Sequence, residues 1–218
     1  MKILAATGWS FDGSLWDPLA SRLAPHGLQA IDPLDAANEI PRHSALGEPF
    51  LLLGFSLGAF CLYPHLSSPG VAGGVFCGLA QTFIRSPANP SGAPRETIVE
   101  MKRDLGRDGQ AVLTEFRRRC FKPLPVPSPF PAETPQTHRL SGALDLLLAA
   151  DLGGKAPPVP VHLVQGTLDR ILPVEGARAF SRATSCILHE IRGAGHALPL
   201  SHVDELAQII RGALAGLP

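Results

Sequence analysis

The chain carries no excess of charge of either sign: 19 Lys and Arg are matched by 19 Asp and Glu over 218 residues. A neutral chain leaves no electrostatic footprint for nucleic acid or an acidic membrane surface, so neither is expected as a partner. An apolar run of membrane-spanning length is also missing. The opening Met1-Lys2-Ile3-Leu4-Ala5-Ala6 is interrupted too soon, by Gly8 and Trp9, to read as a signal peptide. Cys-x-x-Cys is absent as well. Cys61, Cys77, Cys120 and Cys186 are far apart and read as small core residues in a reducing compartment, not as a disulfide framework or a zinc site. Neither an internal repeat nor a long low-complexity tail is found. The expectation is a soluble, cytoplasmic, monomeric single domain over 1–218 with a sizeable core.

What is present is organised around Leu51-Leu52-Leu53-Gly54-Phe55-Ser56-Leu57-Gly58-Ala59-Phe60. An apolar run, Gly-x-Ser-x-Gly and a second apolar run opening on small residues form the pattern of a buried strand turning sharply into a helix, with a serine at the apex. Strained backbone at the apex lifts the hydroxyl clear of the sheet edge. Side chains at Gly54 and Gly58 would collide where helix and strand approach. The next backbone N–H, of Leu57, then faces the oxygen of a bound carbonyl. Taken alone, the five residues also fit a Gly-Ser turn with no chemistry.

Around this stretch, strands and helices alternate. Strands are expected over 2–7, 28–32, 50–55 and 71–79, with helices over 14–23 (Ser14 as N-cap) and after Ser56. From Gln81 to Pro158 prolines become frequent and no strand is evident. Helices are expected over 94–105, 110–121 and 136–150, with a Pro-rich connector over 123–135. An insertion of this kind between strands is where a lid would sit. Alternation resumes with strands over 159–165 and 185–191 and helices over 173–183 and 202–214. The fold class is therefore α/β, a mainly parallel sheet of about six strands with helices on both faces and a helical lid insertion over about 81–158.

A serine hydroxyl needs a base, usually histidine, oriented by a carboxylate. In an open parallel sheet those partners sit in loops at the carboxyl ends of strands. Gly166-Thr167-Leu168-Asp169-Arg170-Ile171-Leu172-Pro173 and Gly193-Ala194-Gly195-His196-Ala197-Leu198-Pro199 supply them in the order Ser56, Asp169, His196. Asp169 by itself reads as a turn or cap aspartate. Asp32, after an earlier strand, is its alternate, and His202 is the competitor of His196. The remaining histidines lack a paired motif.

These three blocks resemble the catalytic blocks of the α/β-hydrolase superfamily over nearly the whole chain outside the insertion. Within it, Gly8-Trp9-Ser10-Phe11-Asp12-Gly13-Ser14-Leu15-Trp16, Leu53 to Gly58 and Ala194 to His202 look most like the pimeloyl-acyl-carrier-protein methyl ester carboxylesterases of biotin synthesis. The resemblance implies a serine carboxylic ester hydrolase that needs no metal and no organic cofactor, with Ser56, Asp169 and His196 catalytic and the backbone N–H groups of Trp9 and Leu57 as the oxyanion hole. Its substrate would be a small-molecule ester or one carried on acyl-carrier protein. Two features depart from the pattern. Thr7-Gly8 stands where His-Gly is usual, and the chain begins at the strand normally third.

The insertion bears on the substrate. Arg117 and Arg118, with Arg95, Lys102, Arg103, Arg107, Arg119 and Lys122, offer a basic face for an acidic carrier or a phosphate, or else form solvated helix faces beside Glu96, Glu100, Asp104, Asp108 and Glu115. Phe83, Phe116, Phe121 and Phe130 are candidates to line an acyl channel or to pack the insertion onto the sheet. Rival readings are a general small-molecule carboxylesterase, a thioesterase, a carbon–carbon hydrolase and, from another class, a non-catalytic protein of the same fold that binds a ligand in the pocket.

Overall fold

A computed structural model describes residues 1–127 and 136–217. Six strands, β1 (Lys2–Ala6), β2 (Gly27–Ile31), β3 (Phe50–Phe55), β4 (Val71–Cys77), β5 (Val161–Gly166) and β6 (Ile187–Ile191), form one sheet in the order β2-β1-β3-β4-β5-β6. Every pairing is parallel. The direction of strand addition reverses between β1 and β3, which opens a crevice at their carboxyl ends.

β3 is apolar without alternation because helices cover both of its faces, and all six of its residues are buried. Leu52 points into a core shared with α2 (Ala36–Ser44), α3 (Leu57–Leu62) and α6 (Val174–Thr184). Leu51, Leu53 and Phe55 point to the opposite core, formed with α1 (Asp17–Arg22) and α8 (Val203–Ala215). The short α7 (Leu198–Ser201) precedes α8.

Between β4 and β5 lie α4 (Arg95–Phe121) and α5 (Thr137–Ala149). The two helices expected over 94–105 and 110–121 run on as one element broken at Asp108, whose backbone leaves the helical region (φ −148°, ψ 79°). Asp108 Oδ1 accepts the Ala111 N–H at 3.0 Å, capping the second half. The insertion is clipped at its base, where Gln81 Nε2 donates to Asp151 Oδ1 and Leu152 N–H to the Gln81 carbonyl, both at 3.0 Å. Among the described residues it contains only isolated β-bridges. Ile98, Leu105, Leu113, Leu144 and Leu147 bury their side chains in the core on the α3 face of the sheet.

One cap differs from expectation. Ser14 does not cap the first helix. Asp12 accepts the Ser14 N–H at 2.8 Å and caps a 3-10 turn over Gly13–Trp16, and α1 follows with no side-chain cap. The Ser14 hydroxyl is itself bound to the Asp12 carboxylate, at 2.5 Å, and lies inside the turn.

Candidate active site

Ser56 joins β3 to α3 with φ 52° and ψ −115°, a left-handed backbone on a residue with a side chain. Such a conformation costs of order 1–3 kcal/mol and persists only where the surroundings fix it. They do so here from three sides. Ser56 N–H donates to the Cys77 carbonyl on β4 at 2.8 Å, and Gly58 N–H donates to the Thr7 carbonyl after β1 at 2.9 Å. A Cβ at Gly58 would overlap the Ala6 and Thr7 carbonyls, and one at Gly54 would overlap the Ala59 backbone. Both glycines are where the chain requires close approach.

Asp169 lies in the loop between β5 and α6 and is buried. Its Oδ1 accepts the N–H groups of Ile171 (2.8 Å) and Leu172 (2.9 Å). Its Oδ2 accepts Gln165 Nε2 at 2.7 Å and lies 2.6 Å from His196 Nδ1. With Nδ1 protonated against the carboxylate, the His196 Nε2 lone pair is left as a base. Nε2 is buried and has no hydrogen-bond partner among the described residues. The His196 ring rests on Phe55, with centroids 5.0 Å apart, and on Gly78, where a Cβ would come within 2.9 Å of Cε1. Phe55 precedes Ser56 in the chain, and Gly78 follows the residue whose carbonyl holds the Ser56 N–H. The imidazole is thus set beside the serine apex.

Opposite it runs the loop after β1. A Cβ at Gly8 would meet the Phe55 ring at 2.8 Å and Ser56 Cβ at 3.4 Å, so Gly8 packs closely against Phe55 and the serine. Phe11 N–H closes a turn onto the Gly8 carbonyl at 3.2 Å, with Ser10 at φ 69°. Thr7, standing where histidine is usual, donates Oγ1 to the Phe11 carbonyl at 3.0 Å and pins that turn. The arrangement brings together a serine on a strained turn, a histidine with its carboxylate partner, and the backbone of the loop after β1.

Beyond Trp9 and Leu57 opens a cleft of about 390 Å³, lined also by Ile31, Leu113, Arg117 and Leu140. Neither Ser56 nor His196 lines this cleft, and Ser56 is only 2% exposed. Of the residues expected to contact substrate, Arg117 lines the cleft, and Phe116 stacks edge-on against Trp9 at 4.9 Å. Phe121 is buried at the end of α4. Phe83 packs against Phe60 away from the cleft, and Arg118 is exposed and forms a two-pronged pair with Glu115. Neither lines it. Phe130 lies outside the described residues.

Asp32, the alternate acid, caps the Leu34 N–H and pairs with Arg139 instead of facing His196. His202 is turned to Ser201, Nδ1 to Oγ 2.9 Å. Among the described residues no group of three or more His, Cys, Asp or Glu is placed to hold a metal, and no helix is long and apolar enough to cross a membrane. Burial and the nearby Asp169 push the Cys120 thiol up, and burial with Asp32 raises Cys61 to about 11, so neither is a ready nucleophile.

Three contributions were not visible in the sequence. Gln165 binds the Asp169 carboxylate, the Cys120 carbonyl accepts the N–H groups of His196 and Ala197 (3.0 Å each), and Trp9 Nε1 donates to the Leu140 carbonyl at 2.9 Å.

Residues 4–209 match the alpha/beta hydrolase family. The chain is 28% identical over 240 residues to the pimeloyl-acyl-carrier-protein methyl ester esterase of Xanthomonas axonopodis pv. citri (strain 306), covering 97% of this chain and 94% of that protein. It is 25% identical over 244 residues to the protein of the same name from Xylella fastidiosa (strain M12), with the same coverage of 97% and 94%. In structure it is similar to an esterase from Exiguobacterium antarcticum, with a TM-score of 0.83 at 17% identity over 99% of this chain and 92% of that one. Strand order, the serine turn and the matched span agree: the chain belongs to the alpha/beta hydrolase family.

Proposed function

We propose that this protein is a serine carboxylic ester hydrolase whose substrate is the methyl ester of an acyl chain borne on an acyl-carrier protein, as the relatives' names and the sequence resemblance to the biotin-synthesis enzymes suggest. The observation that carries the catalytic reading is the buried 2.6 Å contact of His196 Nδ1 with Asp169 Oδ2, its ring resting on the residue before the strained Ser56.

In this reading His196 Nε2 removes the Ser56 hydroxyl proton as Oγ attacks the ester carbonyl carbon. The resulting oxyanion is held by the N–H groups of Trp9 and Leu57, an arrangement in which each donor is typically worth 10²–10³ in turnover. Collapse breaks the carbon–oxygen bond, and His196 returns its proton to the departing alcohol, leaving acyl-Ser56. Water then attacks the acyl carbon with His196 again as base, the acyl–Oγ bond breaks as His196 returns that proton to Ser56 Oγ, and the free acid leaves. Asp169 keeps the imidazole in the Nδ1–H tautomer and stabilises the imidazolium. The insertion forms a lid over the site, and no organic cofactor or metal takes part.

The test is hydrolysis of short p-nitrophenyl esters and of a pimeloyl-carrier methyl ester by wild type and Ser56→Ala. The expected result is preference for the carrier ester, with turnover reduced about 10⁴-fold or more in Ser56→Ala. Cleavage of short esters alone removes the carrier substrate and leaves a small-molecule esterase or thioesterase. A folded protein that cleaves none of them, and takes no fluorophosphonate label at Ser56, overturns the catalytic reading in favour of a ligand-binding protein.

A further inference from the structure

The second half of α4 touches both sides of the candidate site. Phe116 stacks edge-on against the Trp9 ring, and Arg117 Nη2 donates to the Ser10 carbonyl at 2.6 Å. Three residues on, the Cys120 carbonyl accepts the N–H groups of both His196 and Ala197. A Cβ at Gly195 would overlap the Lys122 carbonyl, so the histidine loop and the end of this helix are also in close backbone contact. One helical segment therefore spans the oxyanion loop and the base. The break at Asp108 separates this segment from the first half of α4.

The oxyanion loop has reason to need such a brace. Ser10 occupies the third position of the turn from Gly8 to Phe11 with φ 69°, where a turn of this form ordinarily takes glycine. A residue with a Cβ relaxes from that conformation unless neighbours over-determine it. Thr7 Oγ1 holds the Phe11 carbonyl on one flank, and the charged Arg117 guanidinium holds the Ser10 carbonyl on the other. A hydrogen bond from a charged donor is about twice as strong as a neutral one.

From this geometry we infer that Arg117 is a positioning residue: its contact with the Ser10 carbonyl sets the oxyanion loop, and with it the Trp9 N–H, against Ser56. The inference rests on the hydrolase reading above, and it departs from the sequence-based expectation that Arg117 binds substrate. An arginine that binds an acidic substrate acts on affinity for charged substrates only. One that sets the oxyanion loop acts on turnover of every ester, including those with no charge to bind.

The test is therefore steady-state hydrolysis of an uncharged ester, p-nitrophenyl butyrate, by wild type, Arg117→Met and Arg117→Lys. In Arg117→Met, kcat is expected to fall 10- to 100-fold with KM within about 3-fold, approaching the loss of one oxyanion donor. Arg117→Lys restores part of kcat, since an ammonium donates to a carbonyl without the guanidinium's fixed fork. Slower fluorophosphonate labelling of Ser56 in Arg117→Met, measured well below its melting temperature, is the second readout. Unchanged kcat on the neutral ester in Arg117→Met overturns the inference, whether or not KM for a carrier-borne ester rises. Failure of the hydrolase reading looks different: wild type itself neither cleaves nor labels. If Arg117→Met does not fold, Arg117→Lys and Arg117→Gln carry the same comparison.

Discussion

The Gln165 amide and the His196 imidazole share one oxygen of Asp169: Gln165 Nε2 lies 2.7 Å and His196 Nδ1 2.6 Å from Oδ2. Gln165 is the penultimate residue of β5 and is itself fixed by donating to the Leu172 carbonyl at 2.7 Å. With both Oδ1 bonds coming from the backbone, the carboxylate is held at every corner and presents one direction to the imidazole. Replacing Gln165 by Leu removes the only side-chain bond to Asp169, among the described residues, besides that of His196. It also leaves the Leu172 carbonyl, buried there, without this donor. Turnover of a p-nitrophenyl ester should drop about tenfold with KM little changed, and the melting temperature by a few degrees, in line with a lost buried hydrogen bond. Full turnover in Gln165→Leu would show that the two backbone bonds suffice to aim Asp169.

Gly195 is the tightest join between the insertion and the histidine loop. An added Cβ overlaps the Lys122 carbonyl and lies 3.1 Å from that of Cys120, and both are backbone atoms that cannot swing aside. Gly195→Ala must therefore part the end of α4 from the loop carrying His196. A displacement of about 1 Å in a catalytic group costs around 10²-fold in rate. We expect that loss in kcat, together with a measurable fall in thermal stability. A variant with normal turnover would mean that the α4 end yields without moving His196.

Ser10→Gly should do the opposite for stability. The substitution removes a side chain from φ 69° and deletes a buried hydroxyl that has no hydrogen-bond partner among the described residues. Relief of backbone strain and of an unsatisfied polar group is each worth about 1–3 kcal/mol, against 0.5–1 kcal/mol for the greater freedom of glycine in the unfolded chain. The balance favours the variant by about 1 kcal/mol or more, and a calorimetric scan should show a rise of at least about 2 °C. A lower melting temperature would show that the Ser10 hydroxyl is satisfied in solution, by water.

How much of this was legible in the sequence depends on how far each contact reaches along the chain. β3, the serine turn and the two loops carrying Asp169 and His196 are written in contiguous residues. Apolar runs and the glycines beside them specify the strands and the close approaches, and the parallel order follows from the alternation with helices. The break at Asp108 was legible too, in Gly106-Arg107-Asp108-Gly109. The bracing of the site was not. Arg117 meets Ser10 across 107 residues and Trp9 meets Leu140 across 131, and both use backbone carbonyls, which every residue offers and no motif marks. For the surface cations the sequence left two readings open, a basic docking face or solvated helix faces. Composition shows a basic cluster, yet Lys102 pairs with Asp145, Arg107 with Asp104 and Arg118 with Glu115, so the local field is weaker than the count of cations suggests.

Acid sensitivity offers a further check, independent of catalysis. His162 and His189 face each other across β5 and β6 with ring nitrogens 2.9 Å apart and planes within 11°. Only one of the two facing nitrogens can bear the shared proton. Burial lowers both below the ordinary 6.5, the neighbouring His189 adds to the effect on His162, and burial lowers His43 and His65 as well. The sign follows from proton counting: between the folded values and 6.5 the unfolded chain binds more protons, so stability rises with pH. What these histidines contribute is present above about pH 6.5 and is lost as pH falls through and below it. The carboxylates held low, Glu115 and Glu190 by arginines and Asp151 by hydrogen bonds, give up their share only below about 4.5, their ordinary range, so the two windows separate. Thermal scans between pH 7.5 and 5 should show a steady decline in melting temperature, with a shallower slope in the His162→Gln, His189→Gln double variant. A flat profile for wild type over that interval would mean that the histidines take up protons as easily folded as unfolded, and that the facing pair opens to water without cost.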